Sequence, residues 1–277
     1  MPQLDDALVV YFHEQFLEGG ESTDAWKLFA ALVFTGVFLG LKYCGVPRAI
    51  RAARGWRRLA PPRSRLPLPW AACCLIIRQL ITMGERTIAE LTAVAFALYL
   101  RPSEALSLTT DSLVRPSSLH GGPQGTWSVT LHPREAGVSS KTGVYDDSLL
   151  IDGPAFPWMP DLLAKLLRSR SPGAKLFDVS YNTWNAKFAQ AARAAGLQPL
   201  LSVTLHQLRH GGASHELLVK ARPQDEVKKR GRWATDQAVR RYAKGGRIQE
   251  QLNALPKTIQ DVARRCMDTI GAALCAT

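Results

Sequence analysis

Cysteine is sparse and irregular in this chain: Cys44, Cys73, Cys74, Cys266 and Cys275 make an odd number, with no C-x-x-C pair. That argues against a disulfide framework and against a zinc site, and a reducing intracellular compartment is expected. No apolar run reaches the ~20 residues that a membrane-spanning helix needs. The strongest one, Leu28 to Leu41 between Lys27 and Lys42, reads as a buried core helix, so no membrane partner is expected. The start, Met1 to Asp6, is acidic rather than basic, unlike a secretory or organellar leader. Internal repeats and low-complexity tracts are missing. So is any H-E-x-x-H pattern, or any carboxylate at ligand spacing, beside His206, His210 and His215, and neither a metal nor another cofactor is expected. Acidic residues are lacking altogether from Pro47 to Arg65.

What the chain has in excess is positive charge. Lys and Arg outnumber Asp and Glu by 35 to 23, a formal charge of +12, which calls for a polyanionic partner such as nucleic acid or an acidic membrane face. With 277 residues and 46% apolar side chains, there is material for one large core or two smaller ones. The expected class is mainly α with a small antiparallel hairpin or sheet. A short helical region spans residues 1–60, a Pro/Arg-rich linker 61–69, and a larger domain 70–277.

In the first region, Leu8 to Leu17 is amphipathic and Ala25 to Leu41 nearly all apolar, with Asp24 as a candidate cap. Arg48, Arg51, Arg54 and Arg58 then recur near one face of a short helix that could track a phosphate backbone; a solvated linker is the equal alternative. Beyond the prolines, helices are expected at Trp70 to Met83 and Ile88 to Leu100. Gly125 to His132 and Ser148 to Ile151 read as paired strands, with Ser140-Lys141-Thr142-Gly143 placing a lysine at the hairpin's turn. Further helices are expected at Asp161 to Ser169, Tyr181 to Ala195, Leu205 to Lys220, Asp225 to Lys229 and Asp236 to Ala243. A Gly245-Gly246 hinge and a last helix, Ile259 to Ala273, follow.

Three clusters could carry chemistry. His206 and Arg209 stand three residues apart in the first turns of a helix that Ser202 or Thr204 could cap, where free amides and the helix dipole favour an anion. A packed or solvated pair is the ordinary meaning of such a spacing. Gly211 and Gly212, each costing about 1 kcal/mol in a helix interior, require something to approach the backbone closely. Nine positions after Trp233 comes Tyr242, near the end of a short helix capped by Thr235 or Asp236; a tyrosine there is ordinarily a core anchor. Arg101, followed by Pro102-Ser103-Glu104, lies at the junction of two helices in an apolar setting, so it needs a partner, and Glu104 is the nearest.

As an ordered set, Arg101, Lys141, His206-x-x-Arg209, Trp233 and Tyr242 resemble the active site of the tyrosine recombinase (phage-integrase) family. Leu98-Tyr99-Leu100-Arg101-Pro102-Ser103-Glu104 and Leu205-His206-Gln207-Leu208-Arg209-His210 are the most specific pieces. Gly231-Arg232-Trp233 with Arg241-Tyr242 looks more like integrases of eukaryotic mobile elements than like the phage pattern. The resemblance implies a tyrosine recombinase catalytic domain from about Leu66 onward. Residues 1–60 are short against the family's core-binding domain, which implies a partial share of the DNA clamp or a further upstream piece.

It also implies roles. Tyr242 would be the nucleophile, Arg101 and Arg209 would hold the non-bridging oxygens as a metal does elsewhere, and His206 would assist proton removal. Trp233 would donate an indole N–H and pack on the tyrosine helix. Lys141 would be the general acid, with Lys165 and Lys175 the other lysines of that stretch. Glu104 and His210 would support the site, and Arg51, Arg54, Arg58, Arg232, Arg240 and Arg241 would contact DNA. The resemblance further implies double-stranded DNA as partner, a homotetramer on DNA, and an intracellular place, the nucleus in a eukaryote and otherwise the cytoplasm or nucleoid. The tail after Gly246 would dock into a neighbouring protomer or pack at home through Ile259, Val262, Met267 and Ile270. The competing readings are a type IB topoisomerase-like relaxation activity, a DNA-binding derivative without catalysis, and a helical protein unrelated to nucleic acid.

Overall fold

The computed structural model describes residues 2–38, 45–61, 66–117, 126–137, 139, 143–198, 200–201, 203–240 and 242–276. Cys44, Ser202, Arg241 and, above all, Lys141 lie outside the described residues. The chain forms two compact units, Met1–Arg65 and Leu66–Thr277. Residues 62–65 of the expected 61–69 linker also fall outside, and Leu68, only 1% exposed, already belongs to the second unit's core.

The first unit holds α1 (Pro2–Leu17), α2 (Ser22–Phe38) and α3 (Pro47–Leu59). Leu8, Phe12, Ala25, Ala49, Ala53 and Trp56 form its core. The stretch that could have been a linker is therefore a helix, and its start is pinned from α1: the buried Asp5 carboxylate accepts the Arg48 N–H at 3.1 Å and the Ala49 N–H at 2.8 Å. Those N–H groups have no intrahelical acceptor, so a carboxylate there caps the helix and faces its positive end. Ala49, Ala53 and Trp56 turn inward while Arg51, Arg54 and Arg58 stay exposed. Asp24 lies within the first turn of α2 rather than capping it, and pairs with Lys27 at 2.7 Å.

The second unit begins with α4 (Trp70–Thr82), α5 (Arg86–Ala97) and α6 (Pro102–Ser107). Strands β1 (Leu113–Val114), β2 (Ser128–Leu131) and β3 (Asp147–Leu150) follow, forming one antiparallel sheet in that order. Leu131 lies opposite Asp147 and Val129 opposite Leu149, so Val129, Leu131 and Leu149 share the buried face. The expected hairpin is present, and β1, too short to show alternation in sequence, adds a third strand. Then come α7 (Met159–Arg168), α8 (Tyr181–Ala194), α9 (His206–Leu218), α10 (Gln224–Arg230), α11 (Asp236–Arg240), α12 (Gly245–Asn253) and α13 (Lys257–Cys275).

Helix α4 is apolar nearly all round because neighbours cover most of its surface: α5, α8, α9 and α13 all pack on it. Its Cys73 and Cys74, with Cys266 and Cys275 of α13, are free thiols. Helix α5 stops at Ala97 rather than near Leu100, since Tyr99 takes a left-handed φ of 51°. Close approach explains the α9 glycines. A Cβ on Gly211 would stand 2.3 Å from the Leu68 carbonyl oxygen, and one on Gly212 would stand 2.0 Å from that of Phe96. Gly245 and Gly246 open α12 instead of forming a hinge between helices. Helix α13 packs at home, with Cys266, Ile270 and Leu274 buried and Ile259 against the same core, whereas Val262 and Met267 are each 40% exposed. No helix among the described residues is long and apolar enough to cross a membrane.

Candidate active site

Glu104 is the centre around which the site assembles. Its carboxylate is only 2% exposed and accepts the Arg101 N–H at 2.8 Å, closing the first turn of α6. Three guanidiniums share it: Arg101 through Nη1, Arg232 through Nη2, and Arg209 with Nη1 at 3.8 Å. His132 Nε2 stands 4.0 Å away. Burial opposes ionisation of Glu104, but Arg232, the Arg101 N–H, and the Arg101 and Arg209 charges outweigh it and hold the carboxyl below its usual range.

Arg209 is built in rather than laid on. It is 6% exposed, donates from Nη1 to the Tyr99 carbonyl oxygen at 2.6 Å and from Nη2 to the Gly231 carbonyl oxygen, and sets its Cζ 4.9 Å from the centre of the Trp233 ring. Burial first, then the like charges of Arg232 and Arg101, push its pKa below the ordinary guanidinium value; Glu104 and Tyr242 act in the opposite direction.

The tyrosine is fixed by the same helix that carries Arg209. Tyr242 follows α11, and its backbone carbonyl accepts the hydroxyl of the buried Ser214 of α9 at 2.6 Å. Its ring lies 4.2 Å from Trp233 and 4.8 Å from His210, one residue beyond Arg209. Tyr242 retains 9% of its accessible surface. Thr235 caps the short helix that leads to it by accepting the Ala238 N–H at 3.2 Å. His206 opens α9 with an exposed side chain, one turn before His210. Thr204 does not cap α9: the Gln207 side chain instead accepts the Thr204 N–H at 2.6 Å.

The structure therefore gathers Arg101, Glu104, Arg209, His210, Trp233 and Tyr242 from α6, α9 and the segments on either side of α11. Arg232 joins them instead of facing outward with Arg240, for its side chain is 9% exposed and engaged on Glu104. Lys165 belongs elsewhere: it pairs with Glu90 at 3.1 Å and donates to the Leu274 carbonyl oxygen at 3.0 Å near the end of α13. The Lys175 side chain is exposed, and its backbone bridges to Thr109 away from the β2–β3 pairing.

Beneath the site runs a buried polar layer that sequence reasoning missed. Tyr99, fully buried, donates its hydroxyl to the fully buried Glu216, stacks its ring on Trp233 at 6.5 Å, and has the Arg230 guanidinium over its ring, 5.5 Å from the ring centre. Burial and the neighbouring Glu216 push its phenol well up, so it remains a donor. Arg222 bridges Glu216, at 2.8 Å, to Asp152 just beyond β3. A tyrosine between two leucines reads as core, and nothing in its sequence neighbourhood signals the left-handed turn that brings its carbonyl to Arg209. Tyr99, His132 and Arg232 all have φ between 51° and 54°, a costly backbone state for side-chain-bearing residues; His132 and Arg232 neighbour Glu104, and the Tyr99 carbonyl holds Arg209 beside it.

Among the described residues, no cluster of three or more His, Cys, Asp or Glu has metal-binding geometry. No known family profile matches the chain, and no curated protein sequence matches it either. Solved structures do. XerH site-specific recombinase, in a post-cleavage complex with a palindromic difH substrate, superposes with a TM-score of 0.51 at 17% identity, over 71% of this chain and 55% of that one. XerA recombinase matches over 95% of this chain and 89% of its own at 16% identity, TM-score 0.45. The catalytic domain of bacteriophage HP1 integrase matches over 66% of this chain and 95% of its own at 18% identity, TM-score 0.40. The chain thus spans about half the length of the XerH chain it matches. The fold is mainly helical with a small antiparallel sheet, and it is similar to the fold of the XerH site-specific recombinase structure.

Proposed function

We propose that this protein is a site-specific DNA recombinase or integrase that cuts and rejoins strands through a covalent phosphotyrosine at Tyr242. The observation that carries the proposal is the convergence of three guanidiniums on one buried carboxylate, with Arg209 lying against Trp233 and Trp233 against Tyr242. A buried cation that exceeds its carboxylate partners is costly unless an anion completes it.

A phosphodiester resists attack because charge builds on its non-bridging oxygens as the new bond forms. Planar guanidinium forks match those oxygens, and held in a water-poor site they stabilise that charge without reorganising. Glu104 holds Arg101 by both its side chain and its backbone N–H, and two backbone carbonyls hold Arg209, so the forks are fixed before DNA arrives. Tyr242 Oη attacks phosphorus as the bond to the 5′ oxygen breaks, leaving a 3′-phosphotyrosine and a free 5′ hydroxyl. The phenolic proton leaves toward a histidine, His206 or His210, and Lys141 is the proposed donor to the departing oxygen. Rejoining reverses each transfer, and because the phosphotyrosine conserves the bond energy, no external energy source enters.

The partner is double-stranded DNA, with Arg51, Arg54, Arg58, Arg240 and Arg241 as backbone contacts. A DNA-bound homotetramer and an origin in a mobile element belong to the same proposal. The test is trapping. A pool of nicked duplexes of random sequence should yield a protein–DNA adduct that survives denaturant, and Tyr242→Phe should remove the adduct while duplex binding persists. An adduct that persists in Tyr242→Phe overturns the assignment.

A further inference from the structure

Arg232 is the odd member of the site. It sits in the left-handed region with φ +54, between Gly231, whose carbonyl holds Arg209, and Trp233, whose ring faces Tyr242. Backbone strain of this kind survives only where the surroundings over-determine it. Its side chain, 9% exposed, puts Nη2 on Glu104, while neither Nε nor Nη1 has a hydrogen-bond acceptor among the described residues. The Asp147 carboxylate is an ion-pair neighbour of Nε at 3.8 Å, too long for a hydrogen bond. Arg209, by contrast, has both terminal nitrogens on backbone carbonyls.

Charge balance makes the same point. Arg101, Arg209 and Arg232 bring three positive charges, and Glu104 and Asp147 bring two negative ones. One positive charge is left uncompensated, which equals the charge of one phosphodiester. A cation placed there only to neutralise Glu104 would be redundant, since Arg101 already pairs with that carboxylate through side chain and backbone.

We propose that Arg232 is a third phosphate-binding guanidinium, whose unpartnered Nη1 takes a non-bridging oxygen of the same phosphoryl group held by Arg101 and Arg209. The inference rests on the reading of this site as a phosphodiester site. Gly231 fixes the geometry by linking two arginines in one turn: its carbonyl anchors Arg209 and its successor aims Arg232 at the same carboxylate. Burial lowers the Arg232 pKa first, Glu104 raises it and Arg101 lowers it again.

The experiment titrates inorganic phosphate into the full chain by calorimetry. In Arg232→Gln, affinity should drop about tenfold, the usual size for one charge-assisted hydrogen bond to an ion. Arg209→Gln should weaken it similarly. The double variant Glu104→Gln/Arg232→Gln should stay weak, because a lost ligand is not replaced by removing the carboxylate. Recovery of wild-type affinity in that double variant would mean that Arg232 merely neutralises Glu104, and would overturn the inference. So would wild-type affinity in Arg232→Gln alongside a loss in Arg209→Gln, an outcome that leaves the anion site itself standing. Absence of phosphate binding by the wild type would sink the inference and the underlying reading together. Circular dichroism melts monitor folding. If Arg232→Gln is unfolded at the assay temperature, Arg232→Lys decides instead: it keeps the charge but loses the fork, so a smaller loss of affinity supports the proposal and an unchanged affinity overturns it.

Discussion

Arg209 and Glu104 have opposite vulnerabilities. Arg209→Ala deletes a guanidinium whose terminal nitrogens sit on two backbone carbonyls, leaving the Tyr99 and Gly231 acceptors buried without a donor. Cleavage, measured as trapped adduct per unit time, should fall by about two to three orders of magnitude, the size of a lost transition-state donor. The fold should persist, because the core of the second unit lies elsewhere. Glu104→Leu should do more harm to stability than to chemistry. It strands the buried Arg209 and Arg232 charges, beside a partly exposed Arg101, and removing the partner of such buried charges costs about 3–5 kcal/mol. Urea unfolding should report that loss, and Glu104→Gln, which can still accept the Arg101 N–H, should lose less. Arg101 and Arg209 were legible as cations needing an anion because their local motifs put them at helix starts. Glu104 was legible only as a partner of Arg101. That it also serves Arg232, more than a hundred residues later, could not be read from spacing.

Among the elements, α9 decides most. It carries Arg209 and His210, anchors the Tyr242 backbone through Ser214, and presents two glycines to Leu68 and the end of α5. Gly212→Ala would drive a Cβ to 2.0 Å from the Phe96 carbonyl oxygen and 2.7 Å from Tyr99 Cδ1, so both α5 and the site's floor would have to move. A loss of about 3 kcal/mol in urea unfolding is expected, the upper end of overpacking, with cleavage lowered as well. Gly246→Ala is the matched contrast. Nothing stands within 4 Å of its added Cβ, and alanine favours the helix start, so stability should rise by about 0.5 kcal/mol. The sequence marked the glycines of α9 as sites of close approach but misread Gly245-Gly246 as a hinge, since a glycine's freedom and a glycine's small size leave the same letter. Helix α3 belongs to this scale too. Its Arg51, Arg54 and Arg58 face outward, and replacing all three by Gln should lower the salt dependence of duplex binding by up to about three units of log–log slope.

For the whole molecule, pH offers a probe of the second unit's packing. His215 of α9 lies among Trp70, Phe96 and Phe156, with ring centres 5.7 to 6.3 Å away, and burial pushes its pKa down to about 4. The unfolded chain, with an ordinary histidine near 6.5, binds the proton more readily. The contribution is therefore fully present above about pH 6.5 and is lost as pH falls from there toward 4. Thermal melts should show the midpoint dropping across that window, and His215→Leu, apolar among the same rings, should flatten that part of the curve. The net charge of +12 speaks to partner rather than fold. Product topology separates strand exchange from relaxation: exchange between two sites needs an assembly of several chains, whereas nicking and swivelling needs one.

The sequence by itself determined most of the helical segments, though it left α3 open between helix and linker and missed α12, and it determined that a small hairpin interrupts them, that the chain divides near its Pro/Arg-rich stretch, and which residues have the chemistry to meet a phosphate. All of these depend on local periodicity, on turn residues, or on side-chain types, which a single strand of letters carries. The tertiary structure alone decided that Arg232 turns inward, that Tyr99 holds Arg209 from below, and that α13 lies on α4 of its own chain. Each of those depends on a left-handed residue or on a contact between segments far apart in the chain, and neither leaves a periodic trace. Charge made the difference visible: burying Arg209 and Arg232 is tolerable only where a distant carboxylate and backbone carbonyls meet them at one point.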